Sequence, residues 1–326
     1  MANNLTPIEA IRQLVEENLV HLRYSDYQIT NRLRKANAYQ NNIRWNVNVS
    51  TDSTGSGRLS AADANPATSD EVKNANLPLV DYAFTETVQM LRTDIQQAQT
   101  AGIGALRNLV DEAFRNHIIK IMRQLNQAVY TGQGGVVDGG IVGMESIIND
   151  DVYALIDRGT YPAWDAGFNL ENAGAGRALS GDLLKEAEMS TYKTGTGNFD
   201  LIMTTPDVVN SYKSLFEDQR ALFQPSAPGR ADLGFTAVSY AGRPVVFDRD
   251  CPAGKMYFLD TSELALYSRD YSTNENFKAM NVNGMTFTME YLPENNMYSV
   301  RFEVGVQAQL KAHDRRAVGV ISDIQA

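Results

Sequence analysis

The chain has 326 residues, 43% of them hydrophobic and 21% charged, which excludes global disorder and a collagen-like fibre and leaves room for one large domain or two modest ones. Its 39 acidic and 29 basic residues give a formal net charge of -10, which repels nucleic acid at long range. Sequence-specific DNA binding is therefore not expected, although a container that encloses DNA without gripping it is compatible with the charge.

The opening MANNLTPIEA has no basic region followed by an apolar run, so no signal peptide is expected. No stretch approaches the roughly 18 apolar residues a membrane span needs. Residues 6–23 predict an amphipathic helix: Thr6 is placed to cap it, Pro7 suits the first helical position, Glu9 completes a capping box, and Ile8, Ile11, Val15 and Leu19 recur at helical spacing. Basic residues follow at Arg32, Arg34 and Lys35. This segment reads either as an ordinary surface helix or as an arm that packs on a neighbour.

Residues 43–49 alternate through Ile43, Trp45, Val47 and Val49, which predicts a strand. Residues 50–76 are rich in Ser, Thr, Asn, Asp, Gly and Ala and cannot form a core of their own. A second alternating run carries Leu79, Tyr82, Phe84 and Val88. Two strands joined by so long a polar segment predict an extended hairpin projecting from the body.

The strongest helical signal runs over 103–130, where Ile103, Leu106, Val110, Phe114, Ile118, Ile121, Leu125 and Val129 follow steps of three and four. Such a helix is about 40 Å long at 1.5 Å per residue, and Gly132 is its expected C-terminal stop. Beyond it, 180–192 predicts a helix capped by Ser180, 199–205 a short buried strand, and Thr205–Pro206 the start of a helix through Phe223. Residues 236–247 predict a hairpin about Ala241-Gly242, and MYFLD and LALYS two further short strands, making a mixed α/β middle section. The C-terminal part predicts a strand at 285–291, a turn at LPENN, and one long strand from Tyr298 to Ala312 with alternate residues apolar. There is no internal repeat.

The chain offers no catalytic, cofactor-binding or metal-binding residues. It lacks a phosphate loop, a GxSxG elbow and an HExxH pair. TGQGGVVDGG and TGTGNFD are glycine-rich turns, since neither has the lysine or the strand-before-loop context a nucleotide site needs. Cys251, the single cysteine, reads as a small partly buried side chain in a turn. His21, His117 and His313 are far apart in sequence, and His117 has Ile121 where a second helical ligand would stand. Asp150-Asp151 and Asp248 with Asp250 read as turn and cap residues, because neither pair lies in a calcium-loop pattern.

The order of these parts, with five strings, resembles the Hong Kong 97-like major capsid proteins of tailed bacteriophages. The strings are YTGQGG after the long helix, YALIDRGTYPAWDA at 153–166, FDLIMTTPDVVNSYKSLFEDQRAL, AGRPVVFDRDCPAGKMYFLDTSELAL and AHDRRAVGVISDI. The resemblance implies an α+β fold with an N-terminal arm over 1–39, an extended E-loop hairpin over 40–92, a peripheral (P) domain with a long spine helix over 93–178, an α/β axial (A) domain over 179–270 and returning P-domain strands over 271–326. It implies a structural, non-enzymatic subunit that self-assembles as hexamers and pentamers into an icosahedral shell around the phage double-stranded DNA. Scaffolding, portal and decoration or cement proteins are its implied partners; it binds neither cofactor nor membrane, and assembles in the host cytoplasm into the virion. An encapsulin-type nanocompartment shell is the alternative. Two departures are informative: the spine helix begins too early for an N-terminal scaffolding domain, and the E-loop holds one lysine, Lys73, without an alignable asparagine partner, so cross-linking is not expected.

Overall fold

The computed structural model describes residues 27–49, 72–79, 83–215, 239–270, 278–282, 284–292 and 298–325. The helix expected at 6–23 lies outside them, as do residues 50–71 and 216–238. In chain order the elements are α1 (Gln28–Arg32), β1 (Arg34–Ala38), β2 (Asn42–Asn48), β3 (Val72–Pro78), β4 (Phe84–Leu91), α2 (Arg92–Ala101), α3 (Ile103–Thr131), α4 (Met144–Asn149), β5 (Val152–Tyr153), β6 (Ile156–Asp157), β7 (Phe168–Leu170), β8 (Arg177–Ala178), α5 (Gly181–Lys193), β9 (Leu201–Thr204) and α6 (Pro206–Leu215). There follow β10 (Ser239–Tyr240), β11 (Arg243–Phe247), β12 (Met256–Leu259), β13 (Leu264–Arg269), β14 (Lys278–Val282), β15 (Met285–Leu292), β16 (Ser299–Val306), β17 (Ala308–Ala312), β18 (Val318–Ile321) and β19 (Ile324–Gln325). The chain divides into two compact units, one of Met1–Asn41, Leu79–Gly143 and Ala265–Leu310, the other of Asn42–Pro78, Met144–Leu264 and Lys311–Ala326.

The first unit is a helix laid on a sheet. The expected long helix is α3, 29 residues from Ile103 to Thr131. Its stripe of Phe114, Ile118, Ile121, Leu125 and Val129 is buried, and the helix packs on β4 and β16 of a four-stranded sheet ordered β14-β15-β16-β4. A single residue, Gly102 at φ 114°, separates α3 from α2; no L side chain adopts that conformation readily, so the apolar period breaks there. Gly132 ends the helix, as expected. Its φ is -59°, and its role is close approach: a Cβ would lie 2.5 Å from the carbonyl oxygens of Ala128 and Ile141.

Two strand expectations are corrected. The partner of β2 is β3, with Trp45 opposite Ala75 and Ile43 opposite Leu77, whereas the run at 84–91 joins a different sheet beside β16. Only Ala75 and Leu77 of β3 carry buried apolar side chains, so the strand had too little hydrophobic pattern to be recognised. The long strand from 298 to 312 is two strands. The chain leaves the four-stranded sheet at Gln307 and continues as β17 in a three-stranded sheet ordered β1-β13-β17. β14, not foreseen, pairs antiparallel with β15.

The second unit holds a six-stranded mixed sheet ordered β10-β11-β9-β12-β18-β7. The fully buried β9 lies parallel to β11 and antiparallel to β12, and β18 runs between β12 and β7. Leu183, Leu184 and Ala187 of α5 and Val208, Val209 and Tyr212 of α6 pack with Ile202, Met256 and Phe258 into one core. The local signals are met: Ser180 accepts from Leu183 N at 3.2 Å, Thr205 Oγ1 from Val208 N at 3.4 Å, and β10–β11 turn through Ala241 (φ 48°) and Gly242 (φ 79°). The helix starting at Pro206 is described to Leu215; residues 216–223 lie outside the described residues.

Candidate functional site

The side chains that suggest chemistry are occupied structurally. Cys251 is buried, and burial pushes its thiol well above the ordinary range, the opposite of an activated nucleophile. His117 Nδ1 lies 2.7 Å from Ala113 O, one helical turn back. His313 Nδ1 meets Glu263 Oε2 at 3.0 Å on the surface, and His21 lies outside the described residues. Asp248 is buried and accepts from the amide of Asp250, while Asp151 receives Arg158 at 3.0 Å, so both acidic pairs belong to turns. The 132–143 loop is a turn with positive φ at Gly134, Gly139 and Gly140, held by Gln133 N donating to Asp138 Oδ2 at 2.9 Å. Among the described residues no group of three or more His, Cys, Asp or Glu is placed to hold a metal ion, and no helix is long and apolar enough to cross a membrane.

What the second unit does contain is a cage built around Arg315. This side chain is fully buried, and its guanidinium donates to three backbone carbonyls: Ile147 O at 2.6 Å, Trp164 O at 3.4 Å, and Asp150 O. It sits 6.0 Å from the ring centroid of Tyr153. Tyr153 in turn accepts from Ala312 N at 2.9 Å and stacks on Trp164, whose Nε1 donates to Tyr153 O. Desolvation holds the phenol of Tyr153 above its ordinary range and the Arg315 guanidinium below its own. The arrangement does no bond chemistry; it fixes the loop at 147–164 to the segment at 312–315. YALIDRGTYPAWDA and AHDRRAVGVISDI, two strings about 150 residues apart, meet here. Nothing in the sequence distinguishes Arg315 from Arg316, which lies partly exposed and pairs with Asp314 at 2.7 Å.

The β2–β3 hairpin is anchored in the same unit. Trp45 Nε1 donates to His313 O at 3.0 Å, Lys311 Nζ lies 4.5 Å over the Trp45 ring, Asn76 N donates to Ala154 O at 3.0 Å, and Lys73 Nζ lies 5.0 Å from the Tyr161 ring. Lys73 is thus engaged at a tyrosine face. A cavity of about 530 Å³ beside this region is lined by Arg158, Asp165, Phe168, Ser190, Thr194 and Arg316. Its two arginines are already paired, Arg158 with Asp151 and Asp165, Arg316 with Asp314, which leaves it no net positive charge to recognise an anion.

Large apolar side chains stand exposed at turns instead. Val137 is 91% exposed at the tip of the 132–143 turn, with Val136 beside it. Leu155 is 72% exposed at the β5–β6 tip, where Ala154 and Leu155 both hold positive φ, 54° and 64°. Backbone strain of this kind, carried by residues other than glycine, collects at contact and functional positions.

The profile of a family described as SU10 major capsid protein matches residues 15–325. Among solved structures, the chain resembles the cyanophage A-1(L) capsid asymmetric unit with a TM-score of 0.76 and 24% identity, over 94% of this chain and 96% of that one. It resembles the capsid of a native GTA particle (TM-score 0.61, 14% identity, 93% and 92% covered) and the holo-SrpI encapsulin of Synechococcus elongatus PCC 7942 (TM-score 0.58, 12% identity, 94% and 91% covered). At these identities the likenesses show the fold, that of Hong Kong 97-like capsid proteins with mixed helix and sheet. No curated protein sequence matches the chain.

Proposed function

The chain belongs to the SU10 major capsid protein family, and on that premise we propose that its copies assemble as hexamers and pentamers into a closed icosahedral shell around the double-stranded DNA of a tailed phage. It is a structural capsid protein of the virion, not an enzyme. The observation that carries this reading is the family match over residues 15–325, which leaves no large part of the chain to another activity.

Within that shell we assign 1–39 to an arm, 40–92 to the E-loop, 93–178 and 271–326 to the P-domain and 179–270 to the A-domain, with two exchanges at the borders: β4 (Phe84–Leu91) pairs with β16, and β18 (Val318–Ile321) pairs with β12. What supports the assignment is the 29-residue α3 in its expected place, the antiparallel β2–β3 pair on either side of the polar segment, and the α/β character of 181–259. Assembly in the host cytoplasm, aided by scaffolding, portal and decoration or cement proteins, belongs to the same reading. A cargo-filled nanocompartment of the encapsulin type is the weaker reading, since the encapsulin likeness has a TM-score of 0.58 against 0.76 for the cyanophage capsid. The test is the content of purified particles: nuclease-protected duplex DNA supports the phage shell, and a stoichiometric co-purifying cargo enzyme supports the nanocompartment.

A further inference from the structure

The β5–β6 hairpin turns through Ala154 and Leu155, both at positive φ, 54° and 64°. A two-residue turn with positive φ at both positions is ordinarily filled by Asn-Gly, because most side chains are crowded there. Here the second position carries a leucine whose side chain is 72% exposed. Val152 on the same hairpin is also exposed, whereas Tyr153 and Ile156 bury its other face. Ala154 O accepts from Asn76 N at 3.0 Å, and Tyr153 belongs to the Arg315 cage, so the turn is anchored through its neighbours. Backbone cost and exposed apolar area thus fall on one residue, and neither stabilises the subunit. The surroundings are acidic: residues 150–165 carry Asp150, Asp151, Asp157 and Asp165 against Arg158 alone.

We infer that Leu155 and its acidic rim dock on residues 32–39 of a second copy of this chain, an inference that rests on the capsid reading above. Charge complementarity selects that segment. Over residues 27–49 the chain carries four cations, Arg32, Arg34, Lys35 and Arg44, and no carboxylate, within a chain whose net charge is -10. Arg32 and Arg34 are exposed and, among the described residues, neither has an ion-pair partner. They flank β1, an edge strand of its sheet. Tyr39, just beyond β1, is 78% exposed, and tyrosine brings the apolar body and polar tip that protein interfaces favour. Leu155 against Tyr39 makes an apolar centre, and the aspartates against the arginines make a charged rim that fixes register and partner. Every copy carries both surfaces, so one contact repeats through a closed assembly.

The test places Tyr39→Cys and Leu155→Cys in one chain and oxidises assembled shells and dissociated subunits in parallel, with the two single variants as controls; the native Cys251 is buried. Shells of the double variant should give covalent multimers on a denaturing gel, and dissociated subunits and both controls none. Shells that form without multimers, or a disulfide closed within one chain, would overturn the inference while leaving the capsid reading standing. If the parent forms no shells, the capsid reading fails and the inference fails with it. If the double variant does not assemble, charge reversal decides. Arg34→Glu should cut shell yield about tenfold or more at an unchanged thermal transition, and adding Asp150→Lys should restore most of it. An undiminished yield, or a loss that Asp150→Lys does not relieve, would overturn the contact, and a parallel loss of duplex DNA binding would assign the arginine to phosphate instead. Leu155→Gly relieves the positive φ, so the subunit's thermal transition should stay level or rise while shell yield falls. An unchanged yield in that variant would also overturn the inference.

Discussion

The ring of Phe114 on α3 lies 5.7 Å from the ring of Phe302 on β16, tilted by 54°, and both side chains are buried. Phe302 also meets Tyr291 of β15 at 5.6 Å, so one aromatic seam fastens the long helix to the sheet. Aromatic pairs of this geometry contribute about 0.5–1.5 kcal/mol beyond their burial. One turn along from Phe114, Ile118 is wholly buried on the same stripe.

Replacing Ile118 with aspartate buries a charge with no partner on that stripe. The cost is several kcal/mol, comparable to the roughly 5–15 kcal/mol of a typical domain, so subunits should misfold and form no shells. Arg115→Ala and Gln124→Ala, both exposed, should stay within about 0.5 kcal/mol of the parent. Urea denaturation of the three variants checks the ranking, and normal folding of Ile118→Asp would show that the stripe is not core.

Gly132→Ala should destabilise the turn after α3. The added methyl would meet two carbonyl oxygens at 2.5 Å, both of them backbone, so the backbone itself must move. A loss of about 1–3 kcal/mol is expected from such overpacking. The control is Gly174→Ala, where nothing lies within 4 Å of the new methyl and the cost comes from its φ of 77° alone. Equal losses at the two sites would refute the close-approach explanation.

Arg315→Met leaves three carbonyls in the second unit without their donor. The expected loss is at least about 1–3 kcal/mol, the cost of leaving a buried acceptor unsatisfied. The neighbouring Arg316→Ala should cost about 1 kcal/mol or less, since its pair with Asp314 is partly exposed. Near-ultraviolet circular dichroism of Trp164 and Tyr153 reports the cage directly; an unchanged signal in Arg315→Met would mean that the cage does not depend on this side chain.

Stability should fall at alkaline pH. Burial, reinforced by Glu188, pushes the Tyr240 phenol up to about 12, and burial raises Tyr153, Tyr212 and Tyr257 as well. A phenol whose folded pKa is raised contributes stability that is complete below its unfolded value near 10 and is lost as pH climbs through the folded value. Thermal unfolding followed between pH 8 and 12 should show the transition dropping above about pH 10, with tyrosinate absorbance rising at unfolding. A transition insensitive to pH over that range would mean these phenols are exposed.

Much of the fold was legible in the sequence because several elements carry strong local signals. The period of Phe114, Ile118, Ile121, Leu125 and Val129, the Ser180 and Thr205 caps, and the Ala241-Gly242 turn each specify their element within a few residues. What was not legible depends on partners distant in the chain. β3 has only Ala75 and Leu77 facing inward and takes its register from β2. The break at Gln307 is set by the two sheets on either side of it, since the alternation continues unbroken through it. Arg315 carries no local signal in the sequence, because the three carbonyls that hold it come from residues 147–164.

The most direct measurement is negative-stain electron microscopy of the purified protein, expressed alone and with its natural scaffold if one exists. The account predicts closed, hollow particles of uniform diameter with hexameric and pentameric clusters on their surface. Monomers or dimers under every condition, with no closed particles, would contradict it.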